Sequence, residues 1–394
     1  MVSPERFSNL PEYAFPRLRA LLDAHPSGGE PINMTIGEPR HPFPGWVEDV
    51  LTRHIAEFAK YPPNPGTPAL LETIGGWLHH RYGVNFGPER IIALNGTREG
   101  LYNAAMALCP ETKAGGKPVI LIPNPFYQVY MVAAISVQAE MVFVPATAET
   151  GFLPDFTALP QDMLDRVAIA YLCTPSNPQG AIADESYWTQ LINLAERHDF
   201  QILADECYAE IYRETPPPGG LQMAHHLGAD PERVVAFHSL SKRSNLPGLR
   251  SGFAAGGPSS IAAMAQLRAY AGAPLSLPLQ RVAERIWADE AHVEANRALY
   301  REKYRLADSI FGNVPGYTAP QGGFFLWLKV PDATGEEAAL RLWTEQGVRV
   351  LPGAYLGHAV DGINPGDNYI RVAMVAPLDE TERGLKRIRD GLYR

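Results

Sequence analysis

The sequence predicts an α/β fold with a mainly parallel seven-stranded sheet in a large domain, and a smaller α+β domain beside it. Three observations carry that expectation. Between about Ile91 and Gly256, short apolar or β-branched runs alternate with helical patterns. Most of those runs are apolar on both parities, as strands covered on both faces should be. After Pro278 the texture changes to a long stretch rich in Ala, Arg, Glu and Leu. Alternation of the first kind implies parallel strands, with ligands bound at their carboxyl ends.

Taken in order, the strand candidates of the sheet are Ile91–Leu94, Val119–Ile122, Met141–Val144, Val167–Cys173, Gln201–Ala204, Val234–Phe237 and Gly252–Ala255. Helical patterns such as Thr97–Leu108 and Glu185–His198 fall between several of them. From Leu279 to about Phe311 there is no Pro or Gly, so one long helix is expected. Gly323–Val330, Val348–Leu351 and Tyr369–Ala373 then read as strands, and Leu378–Leu392 as a terminal helix. The expected division is a large domain over 46–280 and a small one made of 1–45 together with 281–394. The Pro/Gly-rich stretch Thr215–Gly220 reads as a surface loop inside the large domain.

Composition narrows the function. The chain has 394 residues, 46% hydrophobic and 20% charged, with a formal net charge of −9. That is the profile of a globular protein with a large core. The acidic balance argues against a nucleic-acid partner, which calls for a basic field. No run of about eighteen apolar residues suggests a membrane span, and the N-terminus lacks the apolar core of a signal peptide. Cys109, Cys173 and Cys207 are odd in number and widely spaced. They match no disulfide framework or metal-ligand spacing. A cytoplasmic protein with free thiols, no metal and no membrane partner is expected.

The chemistry-bearing residues stand at the predicted strand ends. Lys242 follows the strand Val234–Phe237, between Ser239 and Ser241 on one side and Arg250 on the other, in SLSKRSNLPGLRSGF. Hydroxyls and a guanidinium suit a phosphate. A desolvated lysine loses its proton readily and can attack a carbonyl carbon. Alone, Lys242 reads as an ordinary loop lysine; the whole string does not. Asp205, in ADECY after the strand Gln201–Ala204, can face a ring nitrogen, with Tyr208 three residues on. The bland alternative is a carboxylate capping the next element. Asn177 sits in the Pro- and Gly-fixed turn TPSNPQG.

Asn95-Gly96-Thr97-Arg98-Glu99 is a strand-to-helix junction whose N–H groups suit an anion; plain capping by Thr97 is the alternative. No GxGxxG or GxxxxGK[ST] motif accompanies it. Tyr127, in NPFY, offers an aromatic platform, although a lone aromatic more often packs. Arg371 is a charge inside the apolar run YIRVA and needs an anion, either an internal carboxylate or a substrate's.

In sequence, GTRE, NPFY, TPSNPQG, ADECY, SLSKRSNLPGLRSGF and YIRVA resemble the fold-type I, class I/II aminotransferases that use pyridoxal phosphate. The resemblance runs from Gly37-Glu38-Pro39 to Arg371. It implies that Lys242 holds the cofactor as a Schiff base and moves the Cα proton. Asp205 then pairs with the ring nitrogen, Asn177 and Tyr208 bind the ring hydroxyl, and Tyr127 stacks on the ring. Ser239, Ser241, Arg250 and the backbone at Thr97 and Arg98 hold the phosphate. Gly37, Asn177 and Arg371 take the substrate. The resemblance also implies a homodimer with shared active sites, in which Tyr61 reaches the partner's cofactor, and amino-acid and 2-oxo-acid substrates.

GEPRHPFP, GTRE and the KRSN context are further similar to the succinyldiaminopimelate aminotransferases of bacterial lysine biosynthesis. That implies transfer between N-succinyl-LL-2,6-diaminopimelate and 2-oxoglutarate, with Arg40 and Arg98 as unranked candidates for the distal end. A broader aspartate-, aromatic- or alanine-type aminotransferase is the alternative, and a C–S β-lyase a more distant one. A transcription regulator carrying such a domain would need a winged helix for which the chain has no room.

Overall fold

The computed structural model describes residues 5–8 and 10–393. Its strands are β1 (Ile32–Asn33), β2 (Ile91–Leu94), β3 (Val119–Asn124), β4 (Glu140–Pro145), β5 (Val167–Cys173), β6 (Gln201–Asp205), β7 (Val234–Ser239), β8 (Gly252–Ala255), β9 (Phe325–Lys329), β10 (Val348–Arg349), β11 (Leu351–Pro352) and β12 (Tyr369–Ala373). Seven of these form one sheet in the order β2-β8-β7-β6-β5-β3-β4. Only β8 runs against its neighbours; the remaining pairs are parallel. Strands β2, β3, β5, β7 and β8 are buried along their whole length, because helices cover both faces and leave no polar side to alternate.

Separate apolar clusters lie on the two sides of this sheet. On one side Trp77, Trp188, Phe253, Ile286 and Trp287 pack together; on the other, Leu101, Tyr130, Tyr171 and Phe237 do so. A third core surrounds the antiparallel sheet β11-β12-β9, with Tyr300, Phe311, Phe324, Leu342 and Ile388. The N-terminal segment enters it through β1, which pairs in parallel with β10, Ile32 opposite Val348. No described helix is long and apolar enough to cross a membrane.

Two expectations change. The long helix from Leu279 is two helices, Leu277–Trp287 and Ala291–Phe311. The break has no Pro or Gly; Asp289 makes it, its carboxylate accepting from the Ala291 N–H at 2.9 Å and meeting the His292 ring at 3.1 Å. The buried Arg243 guanidinium also donates to the Ile286 carbonyl and pairs with Glu290. Second, Val348–Leu351 is shared between two sheets. Val348–Arg349 lies beside β1, whereas Leu351–Pro352 pairs with β12. A run of this length holds no signal for a change of partner.

Candidate functional site

The carboxyl ends of β2, β3, β5, β6 and β7 open on one cavity of about 350 Å³. Because β8 is antiparallel, its amino end, just after Arg250, lies at the same edge. Of the candidates named from the sequence, all but Tyr61 and Arg40 line this cavity: Gly37, Thr97, Arg98, Tyr127, Asn177, Asp205, Tyr208, Ser239, Ser241, Lys242, Arg250 and Arg371. Tyr61 is elsewhere, fully exposed at 102% on its loop.

Lys242 is carried on the short helix Leu240–Arg243, which β7 feeds directly. Ser239 caps that helix, its hydroxyl accepting from the Ser241 N–H at 3.1 Å. Leu240 is buried beneath and turns the next-but-one side chain into the cavity. The Lys242 ammonium donates to the Gly37 carbonyl and, among the described residues, pairs with no carboxylate. Burial pushes its pKa down to about 8, with Arg371 and Arg250 adding to the shift against Cys207 and Glu38. Roughly a tenth of the amine is therefore neutral at pH 7, far more than of an ordinary lysine, and the neutral form is what attack on a carbonyl needs. Among the described residues it is the one lysine lining the cavity.

Opposite lies an anion cradle. Helix Thr97–Leu108 begins at Gly96 with no side-chain cap, so its first N–H groups are free for a ligand. Thr97 does not cap it; its hydroxyl contacts the Cys207 thiol at 2.9 Å. Gly96 has φ +84°, and a Cβ there would collide with the Arg250 guanidinium. Glycine thus admits both the left-handed backbone and the arginine. Arg250 donates to the carbonyls of Pro247 (3.0 Å) and Asn95 (3.3 Å), and among the described residues no carboxylate pairs with it. The Ser239 and Ser241 hydroxyls share this end of the cavity.

Asp205 ends β6 and is buried. Its Oδ2 accepts from the Tyr130 hydroxyl at 2.7 Å, and among the described residues no Lys or Arg pairs with it. Burial pushes its pKa up. Tyr130 is locked by stacking on Tyr171, 4.4 Å between centroids. Such a carboxylate is poised for a cationic N–H that a ligand would bring. Tyr208 is buried against Phe324 and Phe325. Tyr127 meets Tyr130 edge-on, and its hydroxyl accepts from Arg98 Nε at 2.7 Å.

Arg371, on the central strand β12, donates to Asn177 Oδ1 (3.1 Å) and the Thr35 carbonyl (2.8 Å) and lies over the Phe325 ring at 4.2 Å. Its Nε is buried without a partner, and burial lowers its pKa to about 10. Of the two readings left open, an internal carboxylate is absent among the described residues. The guanidinium is set for a carboxylate that arrives with a ligand.

The two distal candidates separate. Arg40 lies outside the cavity and pairs with Glu380 at 2.6 Å, whereas Arg98 lines it. The KRSN residues after Lys242 face the core. Arg243 pairs with Glu290, Ser244 meets His292 at 2.8 Å, and Asn245 donates to Asn296 at 3.1 Å. None of these three touches the cavity, so that likeness reports packing and not substrate contact. Sequence reasoning missed Tyr13, Phe15, Glu38, Cys207 and Phe325 in the lining. Glu38 and Cys207 stood inside quoted motifs. Tyr13 and Phe15 carry no local signal, since the helix Ala14–Leu22 meets the cavity only through the tertiary fold.

Known proteins share this chain's sequence pattern and fold. A model of the family "Aminotransferase class I and II" matches residues 30–388. An LL-diaminopimelate aminotransferase of Dehalococcoides mccartyi strain 195 is 30% identical, covering 98% of this chain and 97% of its own. The solved structure of an aminotransferase from Neisseria meningitidis superposes with a TM-score of 0.93 at 35% identity, covering 98% of this chain and 99% of that one. A "probable N-succinyldiaminopimelate aminotransferase" from Thermus thermophilus gives 0.83 at 27% identity, covering 96% and 98%.

Proposed function

The chain belongs to the class I and II aminotransferases, enzymes that work with pyridoxal phosphate, and we propose that it moves an amino group between N-succinyl-LL-2,6-diaminopimelate and 2-oxoglutarate in lysine biosynthesis. The cavity fits the cofactor on its own geometry. Among the described residues it holds an uncapped helix N-terminus facing an arginine without a carboxylate, a buried Asp205 without a Lys or Arg partner, and a single, half-buried lysine. When bound, pyridoxal phosphate supplies an electron-withdrawing ring that stabilises negative charge at the substrate Cα. Lys242 would hold the cofactor through its carbonyl carbon and is the group that would carry the Cα proton. Asp205 holds a proton on the ring nitrogen, Asn177 and Tyr208 bind the ring hydroxyl, and Tyr127 covers one face. Ser239, Ser241, Arg250 and the N–H groups of Thr97 and Arg98 bind the phosphate. Two copies of the chain complete the sites, with the exposed Tyr61 reaching its partner's phosphate.

The observation that carries the transfer reading is the buried Arg371 guanidinium, whose Nε has no partner and which meets no carboxylate among the described residues. Beside Gly37 and Asn177 it binds the substrate α-carboxylate bidentately, which leaves the Cα–H bond, and not the carboxylate, to be broken. Arg371→Met should lower kcat/KM for amino donors by about 10²- to 10³-fold, the loss of a buried charge pair. Thermal stability should not fall, because an unpaired buried charge is removed from the free protein. Steady-state kinetics and a melting curve check both halves.

Arg98 lines the cavity beside Tyr127 and is the side chain that binds the distal acid of a long substrate. The skeleton is supported by the diaminopimelate enzymes among the relatives; the succinyl group is supported by the Thermus neighbour and the GEPRHPFP likeness. A second reading, unmodified LL-diaminopimelate, is favoured by the name of the Dehalococcoides relative and by Glu38 in the lining, which suits a distal ammonium. Purified enzyme should be assayed with both diaminopimelates, aspartate, alanine and tyrosine, each with 2-oxoglutarate. Preference for the succinylated donor, weakened about tenfold or more in KM by Arg98→Ala, supports the first reading. Preference for the free diamine replaces it with the second. Preference for aspartate, alanine or tyrosine removes both.

A further inference from the structure

We propose that Lys303, His41 and Asn296 form a positioning relay that holds the turn carrying Lys242 against the Gly37–Pro42 strap. None of the three lines the cavity. Lys303, on helix Ala291–Phe311, is buried. It donates to the Met374 carbonyl at 3.1 Å and lies 2.6 Å from His41 Nε2. The other ring nitrogen, Nδ1, is 2.9 Å from Asn296 Oδ1. An amide oxygen only accepts, so Nδ1 carries the proton and Nε2 accepts from Lys303. Asn296 Oδ1 also accepts from Asn245 Nδ2 at 3.1 Å. The Asn296 amino group therefore faces the other way, at 3.5 Å from the Lys242 carbonyl and 3.4 Å from that of Arg243. Each link has one direction, from the lysine at 303 to the backbone of the lysine at 242.

The strap closes the circuit. Its Gly37 carbonyl accepts from the Lys242 side chain, and its Pro42 carbonyl accepts from Asn245 Nδ2 at 3.2 Å. Lys242 is thus held at its tip by one end of the strap and at its backbone through the other. Burial and the neighbouring Lys303 push the His41 pKa down to about 4, so the ring stays neutral; burial pushes Lys303 down to about 7. The other groups around them, the Arg40–Glu380 pair and the Tyr300 ring tilted against His41 at 4.6 Å, stand outside the chain of links. A buried lysine that pairs with no carboxylate among the described residues is not explained by stability, which an apolar side chain of similar length would serve better.

The inference rests on Lys242 being the reactive lysine. Lys303→Met cuts the relay at its origin. His41→Asn keeps an N–H for Asn296 but is too short for Lys303. Each variant should slow both kcat and the rate at which cofactor-free full-length protein combines covalently with pyridoxal phosphate, followed by absorbance, by about tenfold, with KM within about twofold. The double variant should be no slower than either single one, since both cut the same line. In cofactor-free wild type, ¹⁵N shifts of the His41 ring should show the neutral Nδ1–H form at neutral pH. Wild-type rates in the folded variants, effects that multiply, or a charged or Nε2–H ring would overturn the relay. Should Lys303→Met not fold, His41→Asn and the ring shifts decide alone. A wild-type protein that takes up no cofactor at Lys242 would defeat the underlying reading instead.

Discussion

Lys242→Ala is expected to lower kcat by at least about 10⁴-fold, the scale on which loss of a nucleophile that also carries a proton is felt. Burial brings the amine to about 8, and among the described residues no second lysine lines the cavity to replace it. Lys242→Arg should be equally inactive, because a guanidinium cannot shed its proton to attack a carbonyl. Neither change touches the Arg250 cradle, so both variants should still bind the cofactor through its phosphate. Small amines such as methylamine should restore part of the Lys242→Ala activity by taking over the proton transfer. Full activity in either variant would mean that another group does the chemistry.

Asp205→Asn is the second large effect, with kcat expected to fall by about 10³-fold, the upper range for removing one preorganised charge-stabilising group. The side chains are isosteric, and the Tyr130 hydroxyl can still donate to the amide oxygen. What disappears is the buried negative charge that keeps a proton on a ring nitrogen. The melting curve separates this from a folding defect. The folded-state pKa of Asp205 is raised by burial, so its ionised form opposes folding, and stability falls as pH rises from the unfolded value through the folded one. Above that window Asp205→Asn should melt no lower than wild type while remaining nearly inactive. A stable variant with wild-type kcat would remove Asp205 from the mechanism.

Much of the site was legible because each motif stands where an apolar strand ends. Such runs are the clearest signal a buried parallel sheet writes, and Asp205, Asn177, Tyr127 and Lys242 each follow one. Arg371 was legible for the opposite reason, as a charge where a strand had to be buried. Other features carried no periodicity. The break at Asp289 depends on one side chain capping the next helix, and Tyr13 reaches the cavity from far along the chain. KRSN misled in one respect: the pattern is particular, but Arg243, Ser244 and Asn245 face the core, where Asn245 joins Asn296. Its specificity therefore belongs to how Lys242 is held and not to what the cavity binds.

The central claim is that Lys242 carries the cofactor, and peptide mapping tests it most directly. The protein is loaded with pyridoxal phosphate, reduced with borohydride, digested, and its peptides are sequenced by mass spectrometry. The predicted result is a single phosphopyridoxyl group on Lys242, lost in Lys242→Ala. A label on a different lysine, or an active enzyme with no label at all, would contradict it.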